Sequence, residues 1–182
     1  MSQHARALNW AKHELTMGIS EHPLGSNHGA AVDHYQSFDF LPGSGYPWCV
    51  CFFLAAWAEG AGRPLPYKSP GAFDLYRWGV RNDWTGKPRA GDGVCFDVGS
   101  GHWGMFERFD GDLIVTIDGN TGNQVMRRRR PRKQVKGYFC VPEGSDTIVQ
   151  VPRRRFVRVG SEFGHSVLAS TWPWLPKLSL PL

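Results

Sequence analysis

No stretch of the chain approaches the roughly 18 apolar residues of a membrane span. The N-terminus, Met-Ser-Gln-His-Ala-Arg, leads into a mixed polar segment and not into the apolar core of a secretion signal. The expectation is a protein made in the cytoplasm without a secretion leader of its own. Cysteine is also sparse. Cys49, Cys51, Cys95 and Cys140 form no CxxC pair and no His/Cys cluster at zinc-finger spacing, which argues against a structural metal site. No internal repeat is present, so repeat architectures are set aside.

What the chain does contain is a globular composition. Its 182 residues are 41% hydrophobic and 13% aromatic, enough for one domain with a substantial core. The eight tryptophans exceed what a core of this size needs, and surplus indoles often line grooves for sugars or peptides. A net charge of +5 suits an anionic partner, whether wall polymer, membrane surface or nucleic acid.

Apolar Ala7, Leu8, Ala11 and Leu15 recur at helical spacing over residues 5–17, and Gly18 is a plausible stop. Residues 21–29, with Pro23, Gly25, Asn27 and Gly29, read as a loop, and 30–38 as a short helix. Pro47 disfavours helical geometry at Tyr46, so the apolar run that follows should start its helix at Trp48 or Cys49 and end near Gly60 or Gly62. A further helix is expected over 69–78, with Ser69 as N-cap and Pro70 at the first helical position. Beyond Asp92 the pattern changes to strands over 93–98, 102–109, 112–118, 123–130 and 134–141, with Asp110-Gly111 as a hairpin turn. Helices first and antiparallel strands second make an α+β domain over residues 1–145. Residues 146–182 read as an extension with one more strand over 151–159 and a proline-broken apolar tail.

The chemistry centres on Cys49. At the first turn of a helix, unpaired backbone N–H groups and the helix dipole favour the thiolate. Cys51 lies roughly 200° further around the helix and belongs to a different surface. With Cys95 and Cys140 it reads as a small buried hydrophobe. His102, opening a strand after the turn Gly99-Ser100-Gly101, is the candidate base. The other six histidines fall on polar helix faces, in loops or in the tail, where exposure is expected. Asp118 and Asn120, two apart at a strand end, would share a face and supply the group that orients the histidine. A structural cysteine and a simple Asp-Gly-Asn-Thr-Gly turn are the plain alternatives. Trp48, Trp103 and Glu21 are candidate substrate contacts. The run Arg127-Arg128-Arg129-Arg130 reads as a strand-and-turn edge, with an anionic wall polymer or membrane, or else nucleic acid, as possible ligands.

Taken together these residues resemble the CHAP family, the cysteine, histidine-dependent amidohydrolase/peptidase domains of bacterial and phage peptidoglycan hydrolases. The likeness lies in Pro47-Trp48-Cys49-Val50-Cys51-Phe52-Phe53, Pro88-Arg89-Ala90-Gly91-Asp92-Gly93, Gly101-His102-Trp103-Gly104 and Asp118-Gly119-Asn120, and it spans residues 5–141. Upstream, Gly18-Ile19-Ser20-Glu21 is similar as well.

The resemblance implies a papain-like fold with Cys49 as nucleophile and His102 as base. Many members carry Glu-Gly-Asn where this chain has Asp118-Gly119-Asn120, which leaves either Asp118 or Asn120 to orient the histidine. The acidic calcium loop of some members is not evident before Cys49, so no metal and no other cofactor is expected. The implied activity is amide hydrolysis in peptidoglycan, as muramoyl-alanine amidase or as stem or cross-bridge endopeptidase, and a monomer is expected. The implied setting is a phage lysin, released by a holin or carried on the virion. A non-catalytic wall-binding module on the same fold, or a basic nucleic-acid-binding protein, are the competing readings.

Overall fold

The computed structural model describes residues 1–144. The strand expected over 151–159 and the C-terminal extension lie outside the described residues.

Four helices precede five strands. Helix α1 (Gln3–Thr16) is capped by the Ser2 hydroxyl, which accepts from the Ala5 N–H, and it ends before left-handed Gly18. Ala7, Leu8 and Ala11 turn inward. Helix α2 (Ala30–Gln36) is short. Helix α3 (Cys49–Ala55) is buried at all seven positions, and a π-helical turn, Ala56–Gly60, carries it on. An apolar surface all round fits only an element enclosed by others. Helix α4 (Ala72–Arg81) starts later and runs further than its sequence suggests. The Ser69 hydroxyl accepts from the Gly71 N–H and closes a turn ahead of the helix, so Gly71 and not Ser69 is the N-cap.

The strands are β1 (Gly93–Phe96), β2 (His102–Asp110), β3 (Leu113–Asp118), β4 (Met126–Pro131) and β5 (Val135–Phe139). All pair antiparallel, in the order β4-β3-β2-β1-β5. The β2–β3 hairpin closes through Gly111 and Asp112, with Gly111 at φ 58 in the first loop position as a tight glycine-first turn requires.

The sheet is strongly curled, and its connectivity shows why. Strands β4 and β5 lie at opposite edges, roughly 19 Å apart if the sheet were flat. Only the single 3-10 turn Arg132–Gln134 joins them, and three such residues rise roughly 6 Å. The sheet must bend until its edges approach. Register shifts between Phe106 and Arg108 and between Cys95 and Phe96 supply bulges where strands bend.

Alternation then gives two apolar clusters. Cys95, Trp103, Met105, Ile117 and Phe139 join the helices in the main core, while Val94, Phe96, Phe106 and Ile114 make a smaller one. Phe53 of α3 links the layers, its ring 5.6 Å from that of Trp103 and 6.1 Å from that of Phe139. This is the α+β, papain-like arrangement expected. Among the described residues no helix is long and apolar enough to cross a membrane.

Replacing Phe53 by Ala removes a fully buried ring at the helix–sheet junction. The expected loss is about 3–5 kcal/mol of stability, read from the shift in a urea unfolding curve.

Candidate functional site

The site forms where the start of α3 meets the ends of β2 and β3. Trp48 is the N-cap of α3, and its backbone carbonyl accepts the first helical bond, from the Phe52 N–H at 3.0 Å. Cys49 follows at the first helical position, 7% exposed. The chain leaving β3 crosses directly over this turn. A Cβ on Gly119 would lie 2.6 Å from the Phe52 Cβ and 2.8 Å from the Trp48 ring, so only glycine lets the two segments approach.

A second glycine makes room for the carboxylate. Met105 pairs with Ile117, which sets Gly104 opposite Asp118. A Cβ there would collide with Asp118 Oδ1. His102, two residues earlier on the same face, reaches Asp118 diagonally across the strands. Its Nε2 lies 2.9 Å from Asp118 Oδ2 and 3.2 Å from the Thr121 hydroxyl. Cys49 lies close enough to the ring to act on its protonation. With Nε2 occupied, Nδ1 is the nitrogen left for the thiol. The Phe96 ring stacks on the imidazole at 6.2 Å.

The electrostatics follow from these contacts. Burial opposes charge on His102, but the hydrogen bond to Asp118, the neighbouring Cys49 and the charges of both outweigh it and push its pKa up to about 9. Burial also opposes charge on Asp118, whose side chain has no exposed surface. Hydrogen bonds from His102 and Thr116 and the charges of His102 and Arg130 prevail, holding the carboxyl below its ordinary range.

Asn120 is placed elsewhere. Strand β3 ends at Asp118 and Asn120 has φ 52, so the alternation that would set both side chains on one face stops before Asn120. With its amide nitrogen toward Glu21 Oε1 (3.2 Å), Asn120 offers its carbonyl oxygen to the Trp48 backbone N–H (3.2 Å). Glu21 is fully buried. It accepts from the Trp48 indole at 2.8 Å and from the Asn27 backbone N–H at 3.0 Å. Trp48 and Trp103 are likewise enclosed at 0% exposure. These three side chains therefore support the site from behind and present no surface to a substrate.

The remaining thiols are protonated bystanders. Cys51 donates to Asp39 Oδ2 at 3.1 Å, and burial with that bond pushes its pKa far up. Burial raises Cys95 to about 12 and Cys140 to about 11. All four cysteines are free. His4 departs from the expected exposure. It is 6% exposed and lies 3.1 Å from Asp92 Oδ1 and 3.1 Å from Arg89, a network that ties α1 to the start of the sheet. Among the described residues no group of three or more His, Cys, Asp or Glu is placed to hold a metal ion.

The arginine run is not one patch. Arg127 pairs with Glu107 at 2.8 Å and Arg129 with Asp110 at 2.5 Å, both at the surface. Arg130 turns inward to Asp118. It belongs to the site and not to a basic surface, because alternation and the curl of the sheet carry it inside. Sequence reading missed Arg130, Thr121 and Phe96. No spacing in the run marked Arg130, which pairs with Ile114 in the β3–β4 register and reaches Asp118 only through the curl of the sheet.

Residues 41–120 match the family model described as the CHAP domain. Neither the curated proteins nor the solved structures give a match. The matched span contains Cys49, His102 and Asp118, the residues that the fold has just been seen to join. Residues 41–120 are thus similar to the CHAP-domain family, whose members are in general cysteine- and histidine-dependent amidohydrolases acting on peptidoglycan.

Proposed function

We propose that this protein hydrolyses an amide bond of peptidoglycan with Cys49 as nucleophile, His102 as acid and base, and Asp118 as the group that orients His102. One observation carries the reading. A single imidazole lies beside a helix-start cysteine that acts on its protonation and, at 2.9 Å, meets a carboxylate with no exposed surface. A structural cysteine or a wall-binding module has no need of that chain of contacts.

In the reaction, His102 takes the Cys49 proton and the thiolate attacks the amide carbonyl. Backbone N–H groups of the first turn of α3 face the developing oxyanion. As the C–N bond breaks, His102 gives the proton to the leaving amine and a thioester remains. Water then attacks the thioester, yields a proton to His102, and releases the acid with Cys49 restored. Glu21, Asn120 and Trp48 hold the helix start in place through the bonds described above.

The scissile bond is either the muramoyl-alanine amide or a peptide bond of the stem or cross-bridge. The setting we favour is a phage lysin that reaches the wall from the cytoplasm or on the virion, on the strength of the family's occurrence in such enzymes. Anionic wall polymer is the proposed partner of the exposed arginines, Arg127, Arg128 and Arg129. Arg127 and Arg129 already hold carboxylates, which leaves Arg128 as the main contact.

Wild type should clear purified sacculi and release amino groups. Cys49→Ala should lower that rate at least about a thousandfold, and mass analysis of the fragments names the bond. Normal clearing by the variant would refute the mechanism. The pH profile of kcat/KM should fall on its alkaline side through about 9, because His102 must carry a proton for the leaving amine and loses it there. Asp118→Asn removes a group that raises that value, so the alkaline limb should move down toward about 6.5 and kcat should drop about a hundredfold or more.

A further inference from the structure

We infer that Arg130 is a positioning residue of the hydrolytic site: it clamps the Asp118 carboxylate from inside the curled sheet and so fixes the orientation and proton traffic of His102. The inference rests on the proposed function and extends it to a residue that touches neither the thiol nor the substrate.

Three observations separate Arg130 from its neighbours in the run. The first is burial: its side chain is 13% exposed, against 46% for Arg127 and 60% for Arg129. The second is its partner. Arg130 Nη1 donates to Asp118 Oδ2, the oxygen that also meets His102 Nε2, and lies 3.5 Å from the Thr116 hydroxyl. The third is its seat. The guanidinium lies over the Phe96 ring, 4.7 Å from its centroid, and the same ring stacks on His102. Phe96 thus backs both partners of the carboxylate.

The reaction explains why such a clamp is useful. A carboxylate without exposed surface is stable as an anion only while cations or donors face it. His102 is one such partner, but it becomes neutral each time it passes its proton to the leaving amine. Arginine stays charged throughout. Arg130 therefore keeps Asp118 ionised in the half of the cycle when His102 cannot. It also shares the oxygen that holds the imidazolium, which weakens the hold of Asp118 on the His102 proton and eases its release. The groups around this centre are Cys49 from α3, Phe96 from β1, His102 from β2, Thr116 and Asp118 from β3, Thr121 after β3, and Arg130 from β4.

The electrostatic part of the inference has a sign that a packing role lacks. Loss of the Arg130 charge leaves Asp118 more negative toward His102, so the alkaline limb of kcat/KM should rise. Loss of the Asp118 charge moves the same limb down. General loosening of the site would not move the two in opposite directions.

The test uses the full chain with Arg130→Met, Arg130→Gln and Arg130→Lys. Hydrolysis of purified sacculi is followed against pH. In parallel, alkylation of Cys49 by iodoacetamide is followed by peptide mass spectrometry, which needs no wall substrate. Arg130→Met should lower kcat about tenfold with KM within about twofold, and raise the alkaline limb by about one pH unit. The upper step in the alkylation profile should rise with it. Arg130→Lys should restore the limb and part of kcat. Arg130→Gln, equally neutral, decides the matter should the Met variant fail to fold. An unmoved limb in a folded neutral variant would overturn the inference, whether activity is kept or lost. If wild type attacks no wall but its two-step alkylation profile still shifts in the neutral variants, the clamp stands and the wall reading falls. A single ordinary thiol titration of wild-type Cys49 would remove the Cys49–His102 pair, and the inference with it.

Discussion

Asp118 lies inside the curled sheet with His102 and Arg130 on one of its oxygens, and taking a carboxylate out of water costs several kcal/mol unless such partners are held in place. Much of the local structure serves that requirement. Gly104 leaves the volume the carboxylate fills, and Gly119 lets the strand end turn sharply over the start of α3. The bond to Asp118 commits His102 Nε2 and leaves the other nitrogen to Cys49. Without the buried anion, the imidazole would lose both its orientation and the main support for its proton.

The scaffold behind the site is stiff for a separate reason. Helix α3 is apolar on every side and enclosed by α1, α2 and the sheet, so the cysteine at its start can shift little. Its N-terminal end is secured by polar contacts instead. The Trp48 indole donates to Glu21, and Asn120 reaches both Glu21 and the Trp48 backbone. Residues that read as substrate contacts thus work as fixings. A buried tryptophan with its N–H satisfied by a carboxylate anchors the helix and cannot also offer a face to a sugar.

Much was legible in the chain because it depends on local chemistry. Ser2 and Gly18 bound α1, Gly111 marks the hairpin, and the change from helical to two-residue periodicity after Asp92 separates helices from strands. The pairing of Cys49 with His102 was legible too, because a histidine opening a strand downstream of a helix-start cysteine weighs against the plain alternative of a structural cysteine. The start of α4 was misread because Ser69 closes a turn with Gly71 and does not cap the helix. Asn120 was misread because strand alternation was carried two residues past the strand's last residue.

The sequence by itself determined the elements, the α+β order and the Cys49–His102 pair proposed as nucleophile and base, because caps, glycines and periodicity act over a few residues. Only the tertiary structure decided which of Asp118 and Asn120 meets His102, that His4 is buried, and that Arg130 leaves the basic run to join the site. Those outcomes depend on the approach of β4 and β5 across a three-residue turn and on the crossing of β3 over α3. Such approaches join residues far apart in the chain, and spacing along the sequence carries no record of them.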